Sequence, residues 1–340
     1  MKVVIPVGAL HVGGGCRVLA GLANTLHAAG HDVDVVIPEA APLEYALSCN
    51  VVKVPQLSAE TIPYGDVVLP NFYSTFAPAY AAWPKQCVRL SLGFEPLWVP
   101  DPEVALWTYR TGVPVISISN WLAQQIQDAV NVPSRVVNLG VNQRVFHPKG
   151  KKRHHHEKII LYMARDPDAG YALKGFADFQ EAMQKFSRRY KGKYCVYMIC
   201  PERVLTLDGI PHKTFQPKSD REIAHLYRRA DVFVSTSWFE GFALPPLEAL
   251  ACGTPVVTTD SGGLRDFCVH KETAYMTRPR DTSRLAHGIY KVLRNRGFRK
   301  HIASDGLARA KQLNEEAQYL RMVQALEQIH FERISAEISG

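Results

Sequence analysis

The sequence contains little cysteine, and its cysteines are not arranged for a metal site or a disulfide framework. The seven cysteines, at positions 16, 49, 87, 195, 200, 252 and 268, are odd in number and include no C-x-x-C pair. Spacing of this kind argues against zinc and against a set of disulfides. We therefore expect free thiols in a reducing compartment and a cytoplasmic protein.

Long hydrophobic runs are also missing. No stretch approaches the roughly 18 uninterrupted apolar residues that a membrane-spanning helix needs. The opening residues, MKVVIPVG, are a short apolar run that meets a glycine, without the length or cleavage site of a signal peptide. The sequence therefore predicts no spanning segment and no leader, and at most peripheral contact with a membrane.

The basic residues are unevenly distributed and are not interleaved with aromatic ones. Up to Pro148 there are 8 Lys+Arg and 10 Asp+Glu, a net charge of −2; of the totals of 40 and 32, the remainder holds 32 and 22, a net charge of +10. The second half is therefore expected to bind something anionic. Without interleaved aromatics, nucleic acid is not the expected partner.

At 340 residues the chain suits two domains. In the first half, apolar strands are predicted at KVVIPV, HDVDVVIP, DVVLP, CVRLSLG, VPVISIS and SRVVNLG, with helices at CRVLAGLANTLHAAG and NWLAQQIQDAV. Strands that alternate with helices predict a doubly wound α/β fold with a parallel sheet.

The same alternation restarts after a polar, basic segment at residues 142–158. Strands are predicted at IILYMA, CVYMIC, KTFQ, DVFVSTS and PVVTTD, with helices at FADFQEAMQKFSRRY, DREIAHLYRRA and PPLEALAC. The predicted domains are residues 1–148 and 149–318, followed by a C-terminal helix at 319–340 that packs back towards the first domain. The triple histidine at 154–156 is interpreted as a solvated linker and not as a metal site.

The segment STSWFEGFALPPLEALACGTPVV, residues 235–257, places two glutamates eight positions apart, Glu240 and Glu248. Prolines favour the first turn of a helix and Gly253 suits its C-terminal cap, so the glutamates flank a strand-to-helix loop. Ligands bind at such loops in doubly wound folds, and helix N-termini favour phosphate. Carboxylates accept paired hydrogen bonds from vicinal diols, although acidic residues near a helix N-terminus also act as plain caps.

Four backbone amides in this loop are candidates for holding a diphosphate or sugar hydroxyls. They belong to Gly241, Phe242, Ala243 and Leu244, and Gly241 permits close approach of a ligand. Together with the two glutamates they suit a sugar nucleotide, which offers diols on the sugar and on the ribose.

The motif E-G-F-A-L-P-P-L-E followed by A-L-A-C-G-T-P-V-V resembles the E-x7-E signature of the GT4 family (glycosyltransferase group 1) of retaining glycosyltransferases. GGGCRVLAGLANTLHAAGHDVDVV, LGVNQRVFHP and DSGGLRDF are similar to further segments of that family. The resemblance implies the GT-B fold, which has two Rossmann-like domains facing each other across a cleft. It also implies a nucleoside-diphosphate sugar donor in the second domain, closure over that donor and front-face attack by an acceptor hydroxyl.

The resemblance assigns roles to individual residues. Glu240 would hold donor sugar hydroxyls and Glu248 the ribose, while Arg165 and Lys174, in ARDPDAGYALKGF, match the basic pair that binds the donor diphosphate. Residues 13–15, including Gly14 and Gly15, would lie against the phosphates or the acceptor. Fixed cations stabilise a departing diphosphate without a metal, so no metal and no cofactor are expected. Taken without the glutamate motif and the basic second half, Arg165 and Lys174 are better explained as surface cations.

One departure from the family concerns the acceptor side. Many members carry a histidine in a loop of the first domain, whereas the comparable region here, RLSLGFEPLW at 89–98, has none. Glu95 in this loop, or His11, is a candidate acceptor contact, and Glu95 before a proline is equally well explained as a structural loop residue. The acceptor is expected to be a glycan, a glycolipid or a small molecule with a hydroxyl group.

Two further motifs give only weak evidence for other functions. Gly8 and Gly13 begin like a phosphate-binding loop, but no Gly-Lys-Ser/Thr follows. D-V-D at 32–34 resembles a metal-binding D-x-D, but it lies in an apolar strand and is interpreted as two solvated strand-edge acids. The sequence therefore predicts a retaining, metal-independent glycosyltransferase of polysaccharide or glycoconjugate synthesis. The alternatives are a GT-B sugar-nucleotide epimerase and a non-catalytic sugar-nucleotide-binding subunit.

Overall fold

The structure is a computed structural model that describes residues 1–150 and 157–339. The triple histidine at 154–156 lies outside these residues, so its interpretation as a linker stays a prediction. The chain divides into two compact units, Met1–Asn138 with Glu316–Gly340, and Leu139–Glu315. No helix in the described residues is both long enough and apolar enough to cross a membrane.

These divisions lie slightly before the predicted boundaries at residues 148 and 318. The reason is visible in the backbone of Val141, whose N–H donates to the carbonyl of Leu313 at 2.9 Å and whose carbonyl accepts from Glu315 at 3.1 Å. Phe146 is buried and its ring lies 6.1 Å from that of Tyr227. The segment that the sequence assigns to the end of the first domain therefore packs within the second unit.

The first unit holds two parallel sheets. Its elements in chain order are β1 (Lys2–Pro6), α1 (Gly14–Ala28), β2 (Asp32–Pro38), β3 (Asn50–Val54), β4 (Val67–Val68), α2 (Tyr73–Ala82), β5 (Arg89–Ser91), α3 (Pro102–Arg110), β6 (Val115–Ser117), α4 (Asn120–Val130) and β7 (Arg135–Val136). The strand orders are β3-β2-β1-β4 and β5-β6-β7, and the two sheets meet where the backbone of Val68 hydrogen-bonds with Gln86 and Val88.

The second unit contains one six-stranded parallel sheet. Its elements are β8 (Lys158–Met163), α5 (Phe176–Arg189), β9 (Tyr194–Ile199), β10 (His212–Phe215), α6 (Asp220–Arg229), β11 (Val232–Ser235), α7 (Leu244–Ala251), β12 (Val256–Thr259), β13 (Tyr275–Thr277), α8 (Thr282–Arg294) and α9 (Arg296–Lys311), and α10 (Glu315–Ser339) follows. The strand order is β10-β9-β8-β11-β12-β13. The chain winds outwards from β8 to β10 and returns to β11 beside β8, so the winding reverses between β8 and β11.

The predicted parallel α/β architecture is confirmed, and the main differences are three helices that the sequence patterns did not predict. These are α2, which contains Pro78, and α3, where prolines and aromatic residues obscure the helical periodicity, and α8, whose apolar positions at Leu285, Ile289 and Val292 have helical spacing that was overlooked. The C-terminal helix, predicted from residue 319, corresponds to α10, which begins four residues earlier, at Glu315.

The interpretation of the D-V-D segment as two solvated strand-edge acids is wrong for Asp34. Strand β2 lies inside its sheet, and Asp34 is buried there. Its carboxylate is held by the ammonium of Lys2 at 3.0 Å and by the side-chain amide of Asn50 at 2.7 Å. Asp34 on β2 is thus linked to β1 through Lys2 and to β3 through Asn50. A buried carboxylate requires partners of this kind.

Candidate active site

Lys174 lies in the loop after β8, and the end of β11 fixes its backbone. The carbonyl of Lys174 accepts from the hydroxyl of Thr236 at 2.9 Å, and the carbonyl of Leu173 accepts from the N–H of Trp238 at 2.9 Å. Gly175 follows at φ 73°, where a Cβ would collide with the carbonyl oxygen of Thr236. Only glycine combines this left-handed conformation with such close approach.

A buried tyrosine supports the same loop from below. The hydroxyl of Tyr162 on β8 lies 2.8 Å from that of Thr236, and its ring stacks on Phe179 with centroids 3.7 Å apart. Burial raises the pKa of Tyr162 well above its ordinary value, so the phenol is neutral at physiological pH. Tyr162 therefore positions the Thr236 hydroxyl that holds Lys174.

The ammonium of Lys174 lies 2.7 Å from the carboxylate of Glu240, which comes from the loop after β11. Strands β8 and β11 are neighbours at the reversal of winding, so the pair occupies the position where open α/β sheets bind ligands. The side chains of Lys174 and Glu240 are 31% and 18% exposed, so the pair is sheltered and still accessible from solvent.

A third loop, after β12, holds Glu240 from the other side. The N–H of Glu240 donates to the carbonyl of Ser261 at 2.8 Å, and its carbonyl accepts from Gly263 at 3.0 Å. A Cβ on Gly263 would collide with the carbonyl of Gly241, so the two loops touch through their backbones. The Ser261 hydroxyl is buried and has no hydrogen-bond partner within the described residues.

The residues between the two glutamates form the start of α7, which begins at Leu244. Phe242 and Ala243 are 2% and 6% exposed, and the Phe242 ring packs on Phe267 at 5.3 Å. Both residues are therefore buried, backbone included, whereas Gly241 and Leu244 on either side of them are partly exposed. Ala243 has a φ of 75°, a left-handed conformation that costs energy for any residue other than glycine.

Glu248 is on α7 and is 6% exposed. The hydroxyl of Tyr227, on α6, donates to its carboxylate at 3.2 Å. The sequence alone does not reveal Tyr227 as a partner of Glu248, because it lies one helix away from the motif and only the packing of α6 on α7 brings the two together.

Arg165 has a different partner from Lys174. Its Nε donates to Glu202 at 2.5 Å, and its guanidinium lies 3.6 Å from the centroid of the Tyr171 ring. Glu202 follows β9, the other neighbour of β8, so its proximity follows from strand order and not from spacing in the sequence. The structure thus brings Lys174 together with Glu240, and Arg165 together with Glu202.

A further ion pair closes the turn after Arg165. Arg203 contacts Asp166 through two hydrogen bonds, of 2.5 and 2.9 Å, and also reaches Asp168 at 2.5 Å. This guanidinium lowers the pKa of Asp166 below its ordinary value. Asp166 also caps the short 3-10 helix Pro167–Ala169, because its carboxylate accepts from the N–H of Asp168.

In the first unit, Gly14 and Gly15 begin α1 and are exposed. The preceding loop is held by Gly13, whose N–H donates to the Tyr45 hydroxyl at 3.2 Å and whose carbonyl accepts from it at 3.0 Å. His11 is exposed in this loop, with its Nδ1 3.9 Å from the thiol of Cys16. The role of these residues stays a prediction.

Glu95 is buried, and donors of its own unit occupy both of its oxygens. Arg89, itself fully buried, donates at 2.5 Å, and the backbone N–H of Tyr73 donates at 2.8 Å. Of the two interpretations left open by the sequence, these surroundings support the structural one.

Residues 202–309 match the family of group 1 glycosyl transferases, a segment that contains Glu202, Glu240 and Glu248. Similar proteins include an uncharacterized glycosyltransferase of Methanocaldococcus jannaschii, 27% identical over 212 residues, and the O-antigen chain mannosyltransferase B of Escherichia coli, 35% identical over 97 residues. The first alignment covers 56% of this chain and 53% of the relative, and the second covers 28% and 25%. The chain thus spans about half or less of the length of these relatives.

Solved structures extend the likeness over nearly the whole chain. Sucrose-phosphate synthase from Thermosynechococcus elongatus has a TM-score of 0.79 at 20% identity, covering 96% of this chain and 98% of that one. Anabaena HepE, solved with UDP and glucose, has a TM-score of 0.76 at 16% identity, covering 96% and 99%. At these identities the likeness shows a shared fold, which is GT-B. The predicted resemblance is confirmed: segment 202–309 matches the group 1 glycosyltransferases, and a GT-B fold covers 96% of the chain.

Proposed function

We propose that the chain transfers a sugar from a nucleoside-diphosphate sugar to a hydroxyl acceptor, with retention of anomeric configuration and without a metal ion. The observation that carries this proposal is the 2.7 Å contact between Lys174 and Glu240 at the reversal of winding between β8 and β11. In this contact a cation, which suits the diphosphate of such a donor, lies beside a carboxylate, which suits the hydroxyls of its sugar.

Lys174 and Arg165 would stabilise the leaving diphosphate. A unit charge about 4 Å from a phosphate interacts by up to about 4 kcal/mol at an effective dielectric constant of 20, before desolvation is subtracted. This is the electrostatic role that a divalent cation plays in other transferases. In the proposed mechanism the phosphate oxygen released from the anomeric carbon also accepts the proton of the attacking hydroxyl on the same face, which retains the configuration.

Glu240 would accept hydrogen bonds from hydroxyls of the transferred sugar, and Glu248 from the ribose. Lys174 is paired with Glu240 in this structure, so a bound donor would share or replace this contact. In the loop between the glutamates, Gly241 and Leu244 are partly exposed and are the first candidates for further contacts to the donor, whereas Phe242 and Ala243 are buried.

The similar proteins suggest where a search for substrates should begin. Anabaena HepE was solved with UDP and with UDP-glucose, so a UDP-sugar is the first donor to test. The Escherichia coli relative is an O-antigen chain mannosyltransferase, which favours a saccharide acceptor and a role in surface polysaccharide or glycoconjugate synthesis.

A thermal-shift screen of UDP-, GDP- and TDP-sugars tests the proposal. A ligand at one hundred times its dissociation constant adds about 2.7 kcal/mol to the free energy of unfolding. We expect one nucleotide series to raise the melting temperature of the wild type and not that of Lys174→Ala. A transfer assay with the selected donor, without added metal and with chelator present, should then give a product whose anomeric coupling constant matches the donor. Equal stabilisation of both proteins, or an inverted product, would contradict the proposal.

A further inference from the structure

Two segments of the second unit contain no acidic residue. Residues 182–201 hold five Lys+Arg and residues 282–304 hold six, together with His287 and His301. These eleven cations account for the whole net charge of +10 in the second half of the sequence. Helices α5 and α8 pack against each other, so the segments are neighbours. Arg189 lies 3.3 Å from Nδ1 of His287 and 4.2 Å from the centroid of the Tyr290 ring.

Apart from Lys185 and Arg284, which lie at the start of α8, the cations of these two segments lie towards the opposite edge of the sheet from Lys174 and Glu240. Helix α5 ends at Arg189, shortly before β9 begins, and α8 runs from the end of β13 to Arg294. Because all strands are parallel, both helices end at the amino-terminal edge, whereas Lys174 and Glu240 follow carboxyl ends. The basic excess that the sequence assigns to an anionic ligand therefore lies largely outside the candidate active site.

Helix dipoles do not explain the arrangement. Cations near the ends of α5 and α8 are favourable there, but Arg296, Arg299 and Lys300 occupy the first two turns of α9, where carboxylates are preferred and cations are not. Within the described residues, only Lys185 and Arg284 of the eleven cations form an ion pair with a carboxylate. Crowding of like charges lowers stability, so the pattern indicates a ligand.

An open depression lies between the last turns of α8 and the first turn of α9. Its volume is about 640 Å³, within the range of small-ligand sites, and it is lined by His287, Tyr290, Lys291, Arg294, Asn295 and Arg296. We call it the basic depression. The side chain of Asn295 caps α9 by accepting from the N–H of Phe298 at 2.9 Å, so the positive end of this helix lies at the depression.

The chemistry of the basic depression favours phosphate over bases or acyl chains. The chain's own cations cover the aromatic rings, Arg189 that of Tyr290 and Lys291 that of Phe298, which leaves neither ring free for stacking on a nucleobase. Neither acid-free segment contains a large exposed apolar side chain that could enter a bilayer, within the part of the chain that the structure describes. Only charge and hydrogen-bond donors remain.

We propose that the basic depression is a second anion-binding site, separate from the donor site, that takes a ligand with several phosphate groups. Lys291, Arg294 and Arg296 bind its oxygens, with His287 and the first turn of α9 as further donors. The same chemistry suits the headgroups of an anionic lipid surface and a soluble polyphosphate. Because the donor site lies at the other edge of the sheet, both sites are open to their ligands at once.

The test uses the full chain and tripolyphosphate, measured by calorimetry at low and physiological salt. The variant is Lys291→Gln, Arg294→Gln and Arg296→Gln together, and the matched control removes three exposed cations elsewhere, Lys53→Gln, Lys85→Gln and Arg321→Gln. All proteins also carry Lys174→Ala, which removes binding at the donor site, and melting curves verify their folding. We expect at least a tenfold loss of affinity in the variant, about 1.4 kcal/mol, and less than a twofold change in the control.

A second arm distinguishes the two sources of phosphate. Sedimentation with phosphatidylcholine vesicles, with and without phosphatidylglycerol, should show binding to the anionic vesicles alone if the source is a lipid, and this binding should weaken in the triple variant. Binding of tripolyphosphate without vesicle binding assigns a soluble ligand. Equal losses in the triple variant and the control, or no binding of either probe, overturn the proposal.

Discussion

The ammonium of Lys174 and the carboxylate of Glu240 are 2.7 Å apart, although the residues follow different strands and are separated by 66 positions. Each is fixed by its backbone, Lys174 through Thr236 and Glu240 through Ser261 and Gly263. The pair is thus set by the loops of three neighbouring strands and not by one flexible side chain. Such preorganisation is what a site for charge stabilisation requires.

Gly175 tests how strongly this backbone frame depends on glycine. We expect Gly175→Ala to lower the free energy of unfolding by about 3 kcal/mol, because it combines a left-handed φ with a collision at the Thr236 carbonyl. Gly170→Ala is the control: it has a φ of 87° and open space around it, so a loss of about 1 kcal/mol is expected. Urea unfolding measures both, and equal losses would contradict the predicted collision.

Tyr227→Phe tests the proposed role of Glu248. The substitution keeps the ring, which packs on Phe233 at 5.2 Å, and removes the hydrogen bond to the carboxylate. If Glu248 holds the ribose, which does not react, we expect the donor KM to rise roughly threefold to tenfold with little change in kcat. The exposed Tyr64→Phe serves as the control. A loss confined to kcat would argue against this role.

Substitutions at Glu95 test whether this residue of the first unit has a structural role. Glu95→Ala should cost about 3–5 kcal/mol of stability, because it leaves the fully buried Arg89 without its carboxylate. The double variant Arg89→Met with Glu95→Met should recover most of that loss, since an apolar pair replaces the ion pair. If Glu95 has only a structural role, the acceptor KM of the double variant should be unchanged. A raised acceptor KM would indicate that Glu95 contacts the acceptor.

Thiol reactivity tests the expected free cysteines. Five of the seven are buried, and burial raises the pKa of Cys87 and of Cys252 to about 12. At pH 8 we expect at most Cys16 and Cys49 to react with a thiol reagent in the folded protein, and all seven in denaturant. The pKa of the Cys87 and Cys252 thiols is higher in the folded protein than in the unfolded chain, where it is about 9. The free energy that the protonated thiols contribute to folding is therefore complete below about pH 9 and is lost as the pH rises towards 12. Rapid reaction of more than two native thiols would contradict the burial.

How far the sequence predicts this site depends on whether a contact is local or between strands. The position of Glu240 and Glu248 around the start of α7 follows from the strand, the prolines and Gly253, which are all local signals. The partners Glu202 and Tyr227 come from other elements, so only the strand order and the packing of α6 reveal them. No spacing rule connects Arg165 with Glu202.

Net charge shows the same limit at the scale of a domain. The net charge of the second half of the sequence shows that cations are in excess there, but it does not show where in the fold they lie. The two acid-free segments are separated by the 80 residues from 202 to 281, and the contact of α5 with α8 places them together, with most of their cations at the edge remote from Glu240. The charge therefore supports an anionic ligand for this unit without supporting the donor site in particular.

Transfer by Lys174→Ala and by Glu240→Ala, with the donor selected by thermal shift, tests the central claim most directly. Lys185→Ala is the matched control, because Lys185 forms a similar 2.8 Å ion pair with Glu181 on the surface of α5. We expect each site variant to remain folded and to lose at least about a thousandfold in kcat/KM, roughly 4 kcal/mol of transition-state stabilisation, while the control stays within twofold of the wild type. Wild-type transfer by either site variant would contradict the account.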